Sequence, residues 1–499
     1  PKEPRFDTHE AREVPRRETV RMYSGGQWLD AALVVREDLR PGDVIPGPAI
    51  IAEKNATTVV EPGWEAVLTA LDHLVLDRRI PRTVTYAVGT TVDPVLLEVF
   101  NNLFMNIAEQ MGLQLQNTAY SVNIKERLDF SCALFDAQGH LIANAPHMPV
   151  HLGSMGESIK TVIRENAGRM QRGDVYALND PYHGGTHLPD VTVITPVYLG
   201  GAAQDTPLFY VGSRGHHADI GGTTPGSMPP DSVTVDQEGV MIDNFQLVAQ
   251  GEFRERELHH LLTDHPYPAR NPAQNIADLK AQVAACQRGA SALADLSAAH
   301  GVQTVAAYMT HGQAQAEAAV RQLLARLSDG QFRYAMDNGA EVVVAVTVDR
   351  TARHVTIDFT GSSATLPDNF NAPLPVVRAA VLYVLRTMLD DPIPMNEGCL
   401  APVTLIVPEN SMLSPRYPAA VVAGNVETSQ VITDALFAAF GAMAPAQGTM
   451  NNFTFGNEAH QYYETIAGGS GAGPGFNGTS VIQTHMTNSR KTDPDVMEM

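Results

Sequence analysis

The chain has 499 residues, of which 44% are hydrophobic and 18% charged, which excludes a disordered or collagen-like polymer and allows a large core. Lys+Arg 34 against Asp+Glu 55 gives a net charge of −21, so neither nucleic acid nor an anionic membrane surface is an expected partner. No apolar run reaches the ~18 residues of a membrane span, and Cys132, Cys286 and Cys399 lie too far apart for a disulfide framework or a zinc ribbon.

The cysteines fit buried, reduced thiols in a cytoplasmic protein. At ~100–200 residues per domain, length alone allows about three domains. Residues 1–85 stand apart. They hold both tryptophans, Trp28 and Trp64, and short apolar runs such as Ala32-Leu33-Val34-Val35 and Ala66-Val67-Leu68. Turn signals recur at Gly25-Gly26, Pro41-Gly42, Pro46-Gly47-Pro48 and Pro62-Gly63, which predicts a small β domain. Residues 77–82, Asp-Arg-Arg-Ile-Pro-Arg, are the linker candidate.

From Asp93 the pattern changes. Asp93 is placed to cap a helix with Pro94 at its first position. Leu97, Phe100, Phe104, Ile107 and Met111 recur at helical spacing, and Gly112 is the expected stop. Further helices are predicted over about 153–166, 272–297 and 313–328. Cys286 falls on the apolar stripe of the second of these, with Leu279, Val283 and Leu293, and reads as core. Residues 191–194, 208–211, 342–348 and 355–359 are predicted strands, the last two a hairpin. The fold class expected is mixed α/β (α+β): a small N-terminal β domain, then a large mixed-sheet domain over 86–499.

Histidine placement is the strongest chemical signal. Of 17 histidines, six fall within 147–217: His147, His151, His183, His187, His216 and His217. All six are read as loop residues. The segment Asn179-Asp180-Pro181-Tyr182-His183-Gly184-Gly185-Thr186-His187-Leu188-Pro189-Asp190 offers two imidazoles and two carboxylates, and a curled loop lets His187 and Asp190 reach one ion. Imidazole with carboxylate and no thiolate suits Zn²⁺, Mn²⁺ or Fe²⁺. A second polar run, Ser213-Arg214-Gly215-His216-His217-Ala218-Asp219, follows a strand. His147 and His151 stand before a helix start, open to a metal, a phosphate or acid–base work. Asp129 lies between Leu128 and Phe130, an unusual place for a carboxylate, with Lys125 and Arg127 nearby for anion contact or ion pairing. Cys132 reads as core. The glycine-rich run 467–475 lacks the Gly-Lys-Ser/Thr of a phosphate-binding loop, leaving an anion cradle or close backbone packing.

Seven blocks together resemble one family: Asn101-Asn102-Leu103-Phe104; Ile107 to Gly112; Asn123 to Ser131; Pro146 to Gly153; Gly184 to Asp190; Arg214 to Gly222; and Gln483-Thr484-His485-Met486-Thr487-Asn488. They resemble the B half of the hydantoinase/5-oxoprolinase family, most closely its 5-oxoprolinase branch, from about residue 93 onward. Residues 1–85 resemble the end of the family's A half. With the opening on Pro1, this implies a piece of a longer chain, lacking most of the A half and the end of the B half.

The resemblance implies ATP-dependent ring-opening hydrolysis of 5-oxo-L-proline to L-glutamate. ATP and Mg²⁺ would be bound by the missing A half, and this portion would hydrolyse the phosphorylated lactam at a divalent metal, Zn²⁺ or Mn²⁺. The ligands implied are Asp129, His187, Asp190 and His216. Catalytic roles are expected for His147, Arg214 and His217, and substrate contacts for Lys125, His151 and His183. The expected partners are a small cyclic amide, the A half and further copies of the same chain. Hydantoin hydrolysis, another lactamase activity and ATP-dependent ketone carboxylation are the alternatives.

Overall fold

The computed structural model describes residues 5–9, 12, 14–24, 27–80, 90–199, 206–389, 393–457 and 461–487. The turn at Gly25-Gly26, the end of the linker candidate at residues 81–82, the boundary at 85 and Asn488 lie outside them. The chain divides into two units, Pro1–Ala87 and Val88–Met499.

In the first unit, short alternating runs form strands because one face of each finds a common core. The strands are β1 (Glu18–Ser24), β2 (Gln27–Val35), β3 (Val44–Pro46), β4 (Ala49–Ala52), β5 (Thr57–Val60), β6 (Trp64–Leu68) and β7 (Leu74–Arg78). They make one sheet of order β1-β2-β4-β5 and another of order β3-β6-β7. Val34, Ile45, Ile51, Val60, Ala66 and Leu68 fill the space within the unit. Asp43 is buried there against Arg12, at 2.8 Å, and that guanidinium holds its carboxyl below the usual range.

The second unit opens with α1 (Pro94–Thr118). Asp93 caps it, its carboxylate accepting the amides of Val95 and Leu96 at 2.9 Å. The helix does not stop at Gly112 but runs two turns further. The missing side chain serves another purpose: a Cβ at Gly112 would lie 2.7 Å from His147 Nε2.

The chain continues through α2 (Val122–Lys125), β8 (Phe130–Phe135), β9 (Leu141–Asn144), α3 (Pro149–Glu165), β10 (Val175–Leu178), β11 (Asp190–Val197) and β12 (Phe209–His216). Then come β13 (Phe245–Ala249), β14 (Glu252–Phe253), α4 (Glu255–Thr263), α5 (Pro272–His300) and α6 (Val302–Leu324). The last elements are β15 (Gly330–Ala335), β16 (Glu341–Asp349), β17 (His354–Asp358), α7 (Leu374–Thr387), β18 (Val403–Ile406), α8 (Ser429–Ala439), β19 (Asn452–Gly456) and β20 (Gln461–Thr465). The expected hairpin is present as β16–β17. The helix expected at 313–328 instead starts at Val302, because Gly301, at φ 87°, ends α5 and turns the chain straight into α6.

A seven-stranded sheet of order β14-β13-β10-β11-β12-β8-β9 organises the unit. Its pairings are antiparallel, yet β8, β10, β11 and β12 are buried along their whole length, because helices cover both faces. Side chains alternate. Cys132, Leu134, Val191, Val193 and Val211 join α1, α5 and α6 in one core. Ala133, Phe135, Ile194 and Tyr210 face the other way, into a core shared with α3, α7, α8 and the sheet β15-β16-β17-β18. Cys132 and Cys286 are buried packing, and burial pushes the Cys132 thiol up to about 12. The glycine-rich run packs closely: a Cβ at Gly471 would stand 1.9 Å from the Ala444 carbonyl oxygen. No helix among the described residues is long and apolar enough to cross a membrane.

Candidate metal centre

Strand parity decides which polar residues meet. In the β11–β12 register, Asp190 pairs with His216 and Thr192 with Arg214. Even-numbered residues of both strands face α3, so Asp190 and His216 emerge side by side at one strand end. Their side chains touch, His216 Nδ1 lying 3.1 Å from Asp190 Oδ1. His216 is therefore a strand residue, not a loop residue. His151 is not in a loop either. Pro149 starts α3 one turn earlier than expected, and His151 sits in its first turn.

The loop before β11 supplies His187. Its glycines let it fold back onto α3: Gly184 has φ 101°, and a Cβ there would lie 2.7 Å from the Glu157 carbonyl oxygen. Asn179 Nδ2 donates to the Leu188 and Val240 carbonyls, fixing the loop from behind.

Five ionisable side chains converge as a result: Asp129, His151, His187, Asp190 and His216, none more than 5% exposed. Asp190 Oδ2 lies 3.1 Å from His187 Nε2 and 3.2 Å from His151 Nε2. It also accepts from Thr186 Oγ1 at 3.1 Å and Asn425 Nδ2 at 3.3 Å. Asp129 stands further back, its oxygens 3.9 Å from His151 Nε2 and 4.0 Å from His216 Nδ1. Burial alone would raise the Asp190 carboxyl, but the His187 and His151 imidazoles outweigh it and hold the group well below the usual carboxylate range. Burial lowers His187, whereas Asp129 and Asp190 together outweigh burial at His216 and raise it.

These groups suit a divalent cation. Ligand atoms of His187, Asp190 and His216 all lie within 4.8 Å of one another. The donors are imidazole nitrogen and carboxylate oxygen without a thiolate, the set that Zn²⁺ and Mn²⁺ accept. Buried carboxylates with no exposure to water need compensating positive charge, and four groups crowding one carboxylate oxygen is the arrangement a cation would relieve.

The remaining expected residues lie elsewhere. His147 does not join the cluster's short contacts. Its Nδ1 accepts the Cys132 amide at 3.0 Å and its ring packs edge-on against Phe130. Burial pushes it down to about 4. Because that lies below the ~6.5 of an unfolded histidine, the native state binds fewer protons between these values. Stability should fall as pH drops from about 6.5 to 4, by at most about 3 kcal/mol. His147→Asn, which keeps an acceptor for the Cys132 amide, should flatten that slope in denaturant unfolding; identical slopes would refute the assignment.

His217 is odd-numbered and faces the opposite side of the sheet. It donates from Nε2 to Gln282 Oε1 at 3.1 Å and accepts from Asn275 Nδ2 at 3.0 Å, fastening α5 to the sheet. His217, for which the resemblance implies a catalytic role, thus makes its hydrogen bonds to α5 and not to the cluster. His217→Leu should cost about 1–3 kcal/mol by stranding two buried amides and leave metal content unchanged; loss of metal would contradict this.

Arg214 is fully buried and touches no open space. Its guanidinium donates to Thr192 Oγ1, Ser154 Oγ and Ser158 Oγ at 2.7, 2.5 and 2.9 Å. Burial pulls it down to about 10, so it stays charged at neutral pH. His183 is half exposed and pairs with Asp180 at 2.8 Å, and Lys125 is exposed on α2.

Sequence reading missed Asn425. It lies in a π-helical turn, Gly424–Thr428, ahead of α8, and its Nδ2 is 3.1 Å from His187 Nε2. Such turns recur at functional sites. A polar Gly-Asn pair inside an otherwise apolar run was the available signal.

The buried antiparallel sheet carries a His/Asp cluster at one strand end, and similar proteins give this frame a family. The chain belongs to the hydantoinase B/oxoprolinase family: the family's sequence model matches residues 93–499, and that of the hydantoinase/oxoprolinase C-terminal domain matches residues 1–77. It is 44% identical over 502 residues to 5-oxoprolinase 1 of Arabidopsis thaliana, covering 96% of this chain and 39% of that protein. It is also 44% identical over 482 residues to 5-oxoprolinase of Dictyostelium discoideum, covering 94% and 37%. The chain thus spans less than two fifths of these relatives. Among solved structures it resembles the ATP-dependent caprolactamase of Pseudomonas jessenii, with a TM-score of 0.70 at 25% identity, covering 82% of this chain and 73% of that one.

Proposed function

We propose that this chain carries the hydrolytic, ring-opening part of an ATP-dependent cyclic-amide hydrolase that converts 5-oxo-L-proline to L-glutamate. The observation that supports this best is the buried convergence of Asp129, His151, His187, Asp190 and His216. It occurs in a chain 44% identical to proteins named 5-oxoprolinase.

An amide carbon is a poor electrophile. In this reading ATP and Mg²⁺ act in the A half of the longer relatives, and the activated ring is opened here. Two waters are consumed: one adds to the activated carbon as the ring C–N bond breaks and the nitrogen takes a proton, and the second cleaves the resulting acyl phosphate to carboxylate and inorganic phosphate. A divalent cation, Zn²⁺ or Mn²⁺, would supply Lewis acidity and lower the pKa of a water when bound. Asp190 and His187 would hold it with His216, and Asp129 and His151 stand within reach. Asn425 Nδ2 orients His187 and Asp190 from the side. Arg214 keeps a fixed positive charge behind Asp190. His183 and Lys125, both reachable from solvent, are the substrate contacts this reading retains. It also places the protein in the cytoplasm as a homo-oligomer, with residues 1–85 as the end of the A half.

The test uses the full-length chain. ATP-dependent glutamate release from 5-oxoproline is expected, while Asp129→Ala and His187→Ala should lose metal and hydrolysis with the fold retained. The caprolactamase likeness and 27% identity to a putative D-/L-hydantoinase polypeptide of a Pseudomonas species favour another cyclic amide as the second reading. Hydantoin or caprolactam turnover without glutamate release would establish it. Bicarbonate-dependent ketone consumption would overturn both.

A further inference from the structure

His151 is 2% exposed and sits in the first turn of α3. Its backbone is fixed from two sides. The Val150 amide donates to the Met486 carbonyl at 3.3 Å, and Ser154 Oγ donates to the Val150 and His151 carbonyls at 2.6 and 3.0 Å. The remaining question is which ring nitrogen carries the proton, and the neighbours of each nitrogen decide it. Nε2 faces carboxylate oxygens, Asp190 Oδ2 at 3.2 Å and Asp129 Oδ1 at 3.9 Å. Ionised carboxylates only accept, so Nε2 is the donor. Nδ1 lies 3.3 Å from Ser131 Oγ, on β8. Ser131 is buried, and its Oγ accepts the Met148 amide at 3.1 Å while keeping its own hydrogen to donate. The Met148 carbonyl, at 3.5 Å, is the more distant acceptor, so that hydrogen goes to Nδ1.

We infer, building on the function proposed above, that His151 is a positioning residue for Asp190 and not a metal ligand, and that Ser131 sets its tautomer. Hydrogen bonds then run in one direction: from the Met148 amide to Ser131, from Ser131 to His151, and from His151 to Asp190. The nitrogen within reach of the cation bears a hydrogen and so has no lone pair to offer it. The spacing agrees, because His187, Asp190 and His216 form a group of ligand atoms within 4.8 Å of one another that His151 does not join. A donor on Asp190 Oδ2 keeps the carboxylate from rotating away from His187 and His216. Outer partners of this kind fix ligand orientation, and losing one costs about 10–100-fold in metal affinity.

The test separates a donor from a ligand. Glutamine places an amide N–H near the position of the imidazole Nε2, and asparagine places one near that of Nδ1. In the full-length chain, His151→Gln is expected to bind Mn²⁺ at least about tenfold more tightly than His151→Asn, in competition with a chelator. Pulsed EPR of the Mn²⁺-loaded wild type and His151→Gln should show the same imidazole nitrogen couplings. Ser131→Ala should weaken Mn²⁺ binding about tenfold, and Ser131→Thr, which keeps the hydroxyl, should recover part of the loss. The Ser131 pair gives the same reading if His151→Asn does not fold. Equal affinities of the two His151 variants, a nitrogen coupling lost in His151→Gln, or wild-type affinity in Ser131→Ala would overturn the inference. The expected ranking, in a wild-type chain that binds Mn²⁺ but releases no glutamate, would support it while sinking the proposed function.

Discussion

Replacing Asp190 with asparagine should remove bound metal and ring-opening activity together. One carboxylate serves three imidazoles: Oδ1 faces His216, and Oδ2 faces His187 and His151. Asparagine keeps the shape but removes the charge and turns one acceptor into a donor. That donor would face ring nitrogens and the Asn425 amide. Losing a group that merely orients a ligand costs about 10–100-fold in metal affinity, so losing this one should exceed about a hundredfold. Asp190→Ala should also destabilise the large unit by about 3–5 kcal/mol, as expected when one member of a buried charge cluster is removed. Metal analysis after dialysis, the glutamate assay and denaturant unfolding check these outcomes. Wild-type metal content in Asp190→Asn would contradict the assignment.

The second large effect is expected at Arg214. Its guanidinium joins β11, through Thr192, to α3, through Ser154 and Ser158. Ser158 in turn donates to the Gly184 carbonyl at 2.6 Å, in the loop that presents His187. One buried side chain thus holds the strand, the helix and the loop that carry Asp190, His151 and His187. Arg214→Ala leaves a cavity and three hydroxyls without their donor. A loss of about 3–5 kcal/mol is expected in denaturant unfolding, with weakened metal binding as the helix and loop separate. Arg214→Lys, a single point charge, should satisfy only part of the set. If Arg214→Ala unfolds like wild type yet loses turnover, the residue acts on substrate and not as this tie.

The candidate site was legible in the sequence as far as chemistry goes. Clustered histidines and an oddly placed Asp129 singled out segments from which the fold brings Asp129, His151, His187, Asp190 and His216 together. What the sequence did not show was parity. His216 and His217 are neighbours in the chain, but the pleat sends one into the cluster and the other to Gln282 on α5. That outcome depends on where β12 ends, and a strand expected to stop at 211 runs to His216. His151 was misplaced for a related reason: Pro149 was available as a helix start, which moves His151 from a loop to a buried helical turn. Gly112 illustrates a different limit. A glycine inside a helical pattern signals either a stop or a close approach, and only the position of His147 decides between them. Asn425 depends on a π turn, and a Gly-Asn pair inside an apolar run was its one local sign. The layered fold was easier to foresee, because helix caps such as Asp93-Pro94 and alternating runs such as Val342 to Val348 act locally.

Anomalous diffraction from the metal-loaded full-length protein would locate the cation itself. One strong peak is expected about 2.0–2.2 Å from ligand atoms of His187, Asp190 and His216. A peak at the half-exposed group Asp180, His183 and Asp243 instead, or no peak at the buried cluster, would contradict it.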